Sequence, residues 1–153
     1  MKKFGFIIIL FITIFLLSCK AFKQYEDTNG ADNYALQSIT EEMLIKESGG
    51  LQVGAISNNS TKNGVTSIYS KVHQFDGVNE LHKIKKGNYV MKVSFVVTSG
   101  NTRLVITDGT KIIKEFEVNN ENQEYVFSCD KTYYLKLAGE SCEYELNIEI
   151  KNN

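Results

Sequence analysis

Apolar and polar positions alternate most strictly near the middle of the chain and at its end. From Tyr89 to Thr98, Tyr89, Met91, Val93, Phe95 and Val97 share one face, and Val90, Lys92, Ser94, Val96 and Thr98 share the other. A period of two, rich in β-branched and aromatic residues, predicts a strand. From Cys142 to Ile150, Cys142, Tyr144, Leu146, Ile148 and Ile150 alternate with Glu143, Glu145, Asn147 and Glu149. Such a strand buries one face and wets the other, as antiparallel sheets allow. Further strands are read at Leu51–Ile56, Thr66–Phe75, Leu81–Ile84, Arg103–Thr107, Lys111–Val118, Tyr125–Cys129 and Thr132–Leu137. Ser57–Gly64 reads as a polar loop, and Asp76-Gly77, Lys85–Asn88, Ser99–Asn101, Asn119–Asn122, Asp130-Lys131 and Ala138–Ser141 read as turns. Asp108-Gly109 between two apolar runs predicts a hairpin with a type I′ turn. About eight strands, with turns every 8 to 12 residues or so, predict an all-β fold, an antiparallel β-sandwich over residues 51–153.

Three segments depart from that period. Over residues 34–50, Leu36, Ile39, Met43 and Leu44 or Ile45 approximate a helical stripe; Ser38–Glu41 fits a capping box and Ser48-Gly49-Gly50 a stop. This predicts a short helix laid on the sheet; a helix that binds a partner is the alternative. Residues 20–33 show no apolar period and read as a flexible tether. At the start, Lys2 and Lys3 precede an almost wholly apolar run from Phe4 to Leu17. As a helix that run is about 21 Å long, short of the roughly 30 Å hydrocarbon core, which suits a signal peptide better than a span.

Leu16-Leu17-Ser18-Cys19 closes the run and resembles the lipobox of bacterial lipoproteins. The resemblance implies that residues 1–18 are a cleaved signal peptide, that Cys19 carries the lipid, and that the chain is anchored to the cell membrane or outer membrane on its extracytoplasmic side. Two or more acyl chains anchor stably where one is marginal. An uncleaved N-terminal anchor is the alternative.

Composition narrows the partners. The net charge of −1 includes Lys2 and Lys3, so the chain beyond the signal is more acidic, and no basic patch argues for nucleic acid. Arg103 is the sole arginine, which leaves little for bidentate recognition of phosphate or carboxylate. The absence of proline leaves long strands unobstructed, and the absence of tryptophan leaves tyrosine for any stacking on sugars.

Ile84–Tyr89, Leu104–Gly109 and Thr132–Gly139 resemble the strand-and-turn patterns of jelly-roll-like β-sandwich domains in secreted bacterial proteins, among them pre-peptidase C-terminal-like domains and carbohydrate-binding modules. The resemblance implies a non-catalytic, outward-facing binding domain.

Candidate chemistry is sparse. Cys129 and Cys142 are in phase with inward apolar residues; a meander of the last three strands sets them at opposite ends of the sheet, which favours two buried free thiols over a disulfide. His73 and His82 match no metal-binding spacing and read as surface residues. Asp76, Asn79 and Glu80 in one turn, and Asp108 and Asp130 in others, read as solvated turns, with structural calcium as the alternative. No nucleophile elbow or phosphate loop is present. Tyr133 and Tyr134 must point to opposite faces, and Leu135 and Leu137 put the Tyr133 face inward. Tyr134 and Tyr69 are therefore the candidate ligand-binding residues, two outward rings able to form a platform if they share a sheet.

The expectation is a membrane-anchored lipoprotein, no enzyme and without cofactor or metal, whose sandwich binds envelope or extracellular polysaccharide. The alternative is a protein-interaction or inhibitor/immunity-type lipoprotein.

Overall fold

The computed structural model describes residues 39–153. The expected signal peptide, Cys19, the expected tether and the first residues of the expected helical segment lie outside the described residues. One helix, α1 (Glu41–Lys46), leads into seven strands: β1 (Gly49–Val53), β2 (Ile56–Lys62), β3 (Val65–Ile84), β4 (Gly87–Thr107), β5 (Ile112–Phe116), β6 (Asn120–Cys129) and β7 (Tyr133–Asn152). All pairings are antiparallel, and the order is β1-β3-β7-β4-β5, with β2 also on β3 and β6 also on β4.

Three strands are about twenty residues long, several times the usual length. Each runs through both layers of the sandwich. In the first layer, residues 65–72 of β3, 142–152 of β7 and 87–97 of β4 lie between the edge strands β2 and β6. In the second, residues 75–84 of β3, 133–139 of β7 and 101–107 of β4 lie between β1 and β5. Inward residues of both layers form one core: Met91, Phe95, Leu146 and Ile148 from the first, Leu104, Ile106, Leu135 and Leu137 from the second. The aromatic edges close on each other, Phe116 of β5 meeting Tyr125 of β6 edge-on with ring centroids 6.2 Å apart.

The layers join at a crease. Register shifts fall between Val72 and Gly77 in β3 and between Val97 and Asn101 in β4, and β7 meets both at Gly139–Glu143. The inward phase switches there: odd residues of β4 up to Phe95 face the core, then the even residues Leu104 and Ile106. In β7 the switch runs from Leu135 and Leu137 to Cys142, Tyr144 and Leu146. Each long strand holds one left-handed residue at the crease: Gly77 (φ 117°), Gly100 (φ 73°) and Ser141 (φ 45°). An extra residue with positive φ bends a strand and re-aims its side chains. The stretches that read as turns at Asp76-Gly77, Ser99–Asn101 and Ala138–Ser141 are therefore bends within continuous strands. Their composition is that of a turn because the backbone demand is the same.

β2 also departs from expectation, since Ser57–Gly64 reads as a loop. Its inward side chains do not meet apolar core. Ser57 Oγ lies 3.1 Å from Ser70 Oγ, which lies 3.1 Å from the buried Tyr144 hydroxyl, and Thr61 Oγ1 lies 2.9 Å from Thr66 Oγ1. Asn59 Nδ2 donates across the layers to Leu81 O at 3.2 Å. A strand whose inner face satisfies hydroxyls carries no apolar period to read. The Asp108-Gly109 hairpin closes over four residues, with Thr107 paired to Ile112, and Asp108 is not in the left-handed region a type I′ turn requires. Its carboxylate instead accepts from Thr110 N (2.8 Å) and Lys111 N (3.0 Å), an Asx turn.

Helix α1 lies within the predicted segment, with Thr40 rather than Ser38 as N-cap: its side chain accepts from Met43 N at 3.3 Å. Six residues are too few for an isolated helix. Tertiary contacts hold it. Leu44 is fully buried with Val78, Val105 and Ala138 on the outer face of the second layer, flanked by Ile39, Met43 and Ile112. Burying Leu44 contributes about 2 kcal/mol. Lys136, 5% exposed, donates to Ile45 O (3.1 Å) and Glu47 O (3.0 Å), a cation on the carbonyl end of the helix. Arg103 adds a bond to Ile39 O at 3.2 Å.

At Gly100 a Cβ would collide with the carbonyl oxygens of Ser141 and Glu140 and with Cys142 Cα, all backbone of β7. Gly100→Ala is expected to lower the unfolding free energy in urea by about 2 kcal/mol or more, from backbone strain and overpacking together. Gly64→Ala, at a turn with open space around it, isolates the positive-φ penalty and is expected to lose only about half as much.

Candidate functional site

With α1 covering the second layer, the uncovered outer face belongs to the first. Cross-strand register lays its outward side chains in rows. One row is Ser60, Ser67, Glu149, Lys92 and Glu124; the next is Asn58, Tyr69, Asn147 and Ser94. Two shallow grooves meet here and share Asn147 and Glu149. The larger, about 380 Å³, is bounded by Lys92, Ser94, Glu121–Glu124, Asn147 and Glu149. The smaller, about 160 Å³, lies over Asn58, Ser60, Ser67 and Tyr69. The joint trough is lined by hydroxyls, amides and carboxylates around one aromatic ring, and the larger groove falls within the size range of small-ligand sites.

Tyr69 is half-buried and held in place. Its hydroxyl donates to Glu145 Oε1 at 3.4 Å, and Lys71 Nζ meets Glu145 Oε2 at 2.9 Å. The hydrogen bond and charge of Lys71 keep the Glu145 carboxyl below its ordinary range, with a smaller contribution from Tyr69. One strand position further, His73 Nδ1 lies 3.1 Å from Glu143 Oε1.

Tyr134 lies elsewhere. It pairs with Thr107 and Lys83 on the outer face of the second layer, with Lys83 Nζ 5.9 Å from its ring centroid. The two tyrosines proposed as a platform therefore sit on opposite outer faces. They point outward as the alternation predicts, but a fold that sends the long strands through both layers separates them. Of the remaining tyrosines among the described residues, Tyr89 and Tyr125 stack on Phe127 with centroids 5.7 and 4.9 Å apart, Tyr133 packs on the core, and Tyr144 is buried between Phe75 and Phe95. Asn58 and Ser60 were hidden by the loop reading of β2; Ser94, Asn147 and Glu149 were legible as outward positions without a signal of function.

Cys129 and Cys142 are free and buried. The expected meander is absent: β6 pairs with β4, and β7 lies between β3 and β4. Cys129 stands opposite Gly87 at the far end of the first layer and Cys142 opposite Phe75 at the crease, so the two remain apart by a different route. Burial pushes both thiols up to about 11. His73 is exposed, whereas His82 is half-buried and its imidazole is pushed down by that burial.

The acidic turns satisfy themselves. Asp76 Oδ1 accepts from Ser141 N at 2.6 Å, which pins β3 to β7 at the crease. Asp108 Oδ1 also accepts from the Thr110 hydroxyl at 2.6 Å, while Oδ2 lies 3.2 Å from Lys131 Nζ. Among the described residues no three His, Cys, Asp or Glu side chains group as a metal site. Comparison with protein-family models matches none, and comparison with the curated proteins finds no match.

The Thr110 hydrogen bonds hold the Asp108 carboxyl far below its ordinary range, and the Arg103 guanidinium, 2.6 Å away, lowers that of Glu115. In both, the native pKa lies below the unfolded value, so the unfolded chain binds more protons on acidification. Their stabilisation is complete above the carboxylate range, about pH 4 to 4.5, and is lost as pH falls through it toward the lowered native values. Asp108→Asn is expected to lower the melting temperature at pH 7 and to flatten its decline between about pH 5 and 2. Glu115→Gln is expected to do the same to a smaller degree, because that pair is partly exposed. Thermal unfolding across pH reads both.

Proposed function

We propose that this chain is a lipid-anchored envelope protein, acylated at Cys19, whose sandwich binds polysaccharide without catalysis through the outer face of its first layer. The observation that carries the reading is the trough on that face, with Tyr69 in its smaller groove. A sheet face with hydroxyl, amide and charged side chains in two rows beside one hydrogen-bonded tyrosine ring matches the chemistry of a sugar, which presents hydroxyls at its rim and C–H groups on its faces. Glu145, itself paired with Lys71, accepts from the Tyr69 hydroxyl, so the ring has less side-chain freedom to lose on stacking. Tyr134 has no comparable surroundings, since its ring is covered on one side by Lys83.

The lipobox-like Leu16–Cys19 supports the anchoring. On this reading the polar residues 20–33 join the anchor to the domain. The second reading is a protein-binding lipoprotein, favoured by the exposed Leu51, Val53 and Ile56 at 50–64% accessibility along one edge.

Tyr69→Ala is expected to weaken binding to an envelope polysaccharide about tenfold, the loss of one aromatic stacking contact. Tyr134→Ala is expected to leave the affinity within about twofold of the parent. Isothermal titration across a panel of cell-wall and capsular polysaccharides measures both. Absence of saturable binding to every member of the panel contradicts the reading, as does equal loss in the two variants.

A further inference from the structure

The two edges of the sandwich are defended unequally. Along β5 and β6, which pair only with β4, Lys114, Glu115, Glu121 and Glu124 interrupt the edge with charge. Along β1 and β2, no charged residue occurs from Gly49 to Thr61. β2 pairs on one side only, with β3, through seven consecutive residues without a register shift, and all seven are exposed. A regular, unpaired edge whose one charge, Lys62, stands at its last position is a template for strand addition, and proteins that do not use such an edge blunt it with charge along its length, proline or a bulge.

We propose that β2 pairs antiparallel with β2 of a second copy of this chain, forming a two-fold dimer about Asn59. The register that centres on Asn59 sets Ile56 against Lys62, Ser57 against Thr61 and Asn58 against Ser60. No like charges meet, the hydroxyl and amide side chains face their own kind, and each lysine stem lies against an isoleucine. The contact is isologous and closes on itself. The first layers of the two copies become one continuous sheet. The two Tyr69 rings then lie on the same face, about 15 Å apart across three strand spacings. The dimer does not depend on glycan binding, and each can fail without the other.

The charge pattern of two exposed β2 positions tests it. In the paired edge, Asn58→Asp with Ser60→Asp sets carboxylates against carboxylates, whereas Asn58→Asp with Ser60→Lys sets each carboxylate against an ammonium of the other copy. Sedimentation equilibrium of the full chain in density-matched detergent, at protein concentrations up to about 100 μM, is expected to give a dimer mass for the parent. The Asp/Asp variant is expected to raise the dissociation constant at least about tenfold, and the Asp/Lys variant to restore it to near the parent value. A monomeric parent overturns the proposal. So does an Asp/Lys variant that dissociates as readily as the Asp/Asp one.

Discussion

The fold depends on three strands bending at the same place. β3, β4 and β7 are hydrogen-bonded neighbours through both layers, so none can turn the corner alone without breaking its ladder to the others. The register shifts and left-handed residues are therefore aligned across the sheet, at Gly77, Gly100 and Ser141. Gly139 contributes by what it lacks: a Cβ there would enter the Phe75 ring and the Cys142 sulfur. Asp76, which accepts from the Ser141 amide, ties the bend of β3 to that of β7. Because the side-chain period is two, one shifted residue exchanges the inward and outward sets. The crease does this in each strand, and both layers thereby present apolar residues to a common core.

The same bend decides what each outer face does. On the second layer it turns Val78, Val105 and Ala138 outward, and that apolar patch is what α1 covers. Lys136 follows from the same phase: it emerges beneath the helix and its ammonium is consumed by the helix carbonyls. On the first layer the outward rows that line the trough, from Asn58 and Ser60 on the edge to Glu124 on the far side, are polar, with Val90, Val96 and Val126 outward beside them, and among the described residues no helix covers this face. A helix on one face and a bare polar trough on the other are thus consequences of one shift in register.

Much of this was legible in the residues. The alternation at Tyr89–Thr98 and Cys142–Ile150 places Met91, Phe95, Tyr144 and Leu146 inward, where they lie. The all-β class and the short helix followed from period alone. The continuity of the long strands did not, because Ser99-Gly100-Asn101 has the composition of a turn whether the chain reverses or only bends. β2 was lost for a related reason: Ser57, Asn59 and Thr61 face hydroxyls and a carbonyl, so the strand shows no apolar period. The site was harder still. Tyr69 and Tyr134 were each outward, but their separation onto opposite faces depends on which half of a bent strand each occupies, and no local pattern records that.

Chemical-shift mapping of the isotope-labelled protein, titrated with the polysaccharide it binds, tests the central claim most directly. Perturbed amides are expected to gather at Asn58, Ser60, Tyr69, Ser94, Asn147 and Glu149, spanning four adjacent strands of the first layer, with α1 and the Asp108–Lys111 loop unmoved. Perturbations centred on Tyr134 and that loop, or on α1, would contradict the assignment of function to the bare face.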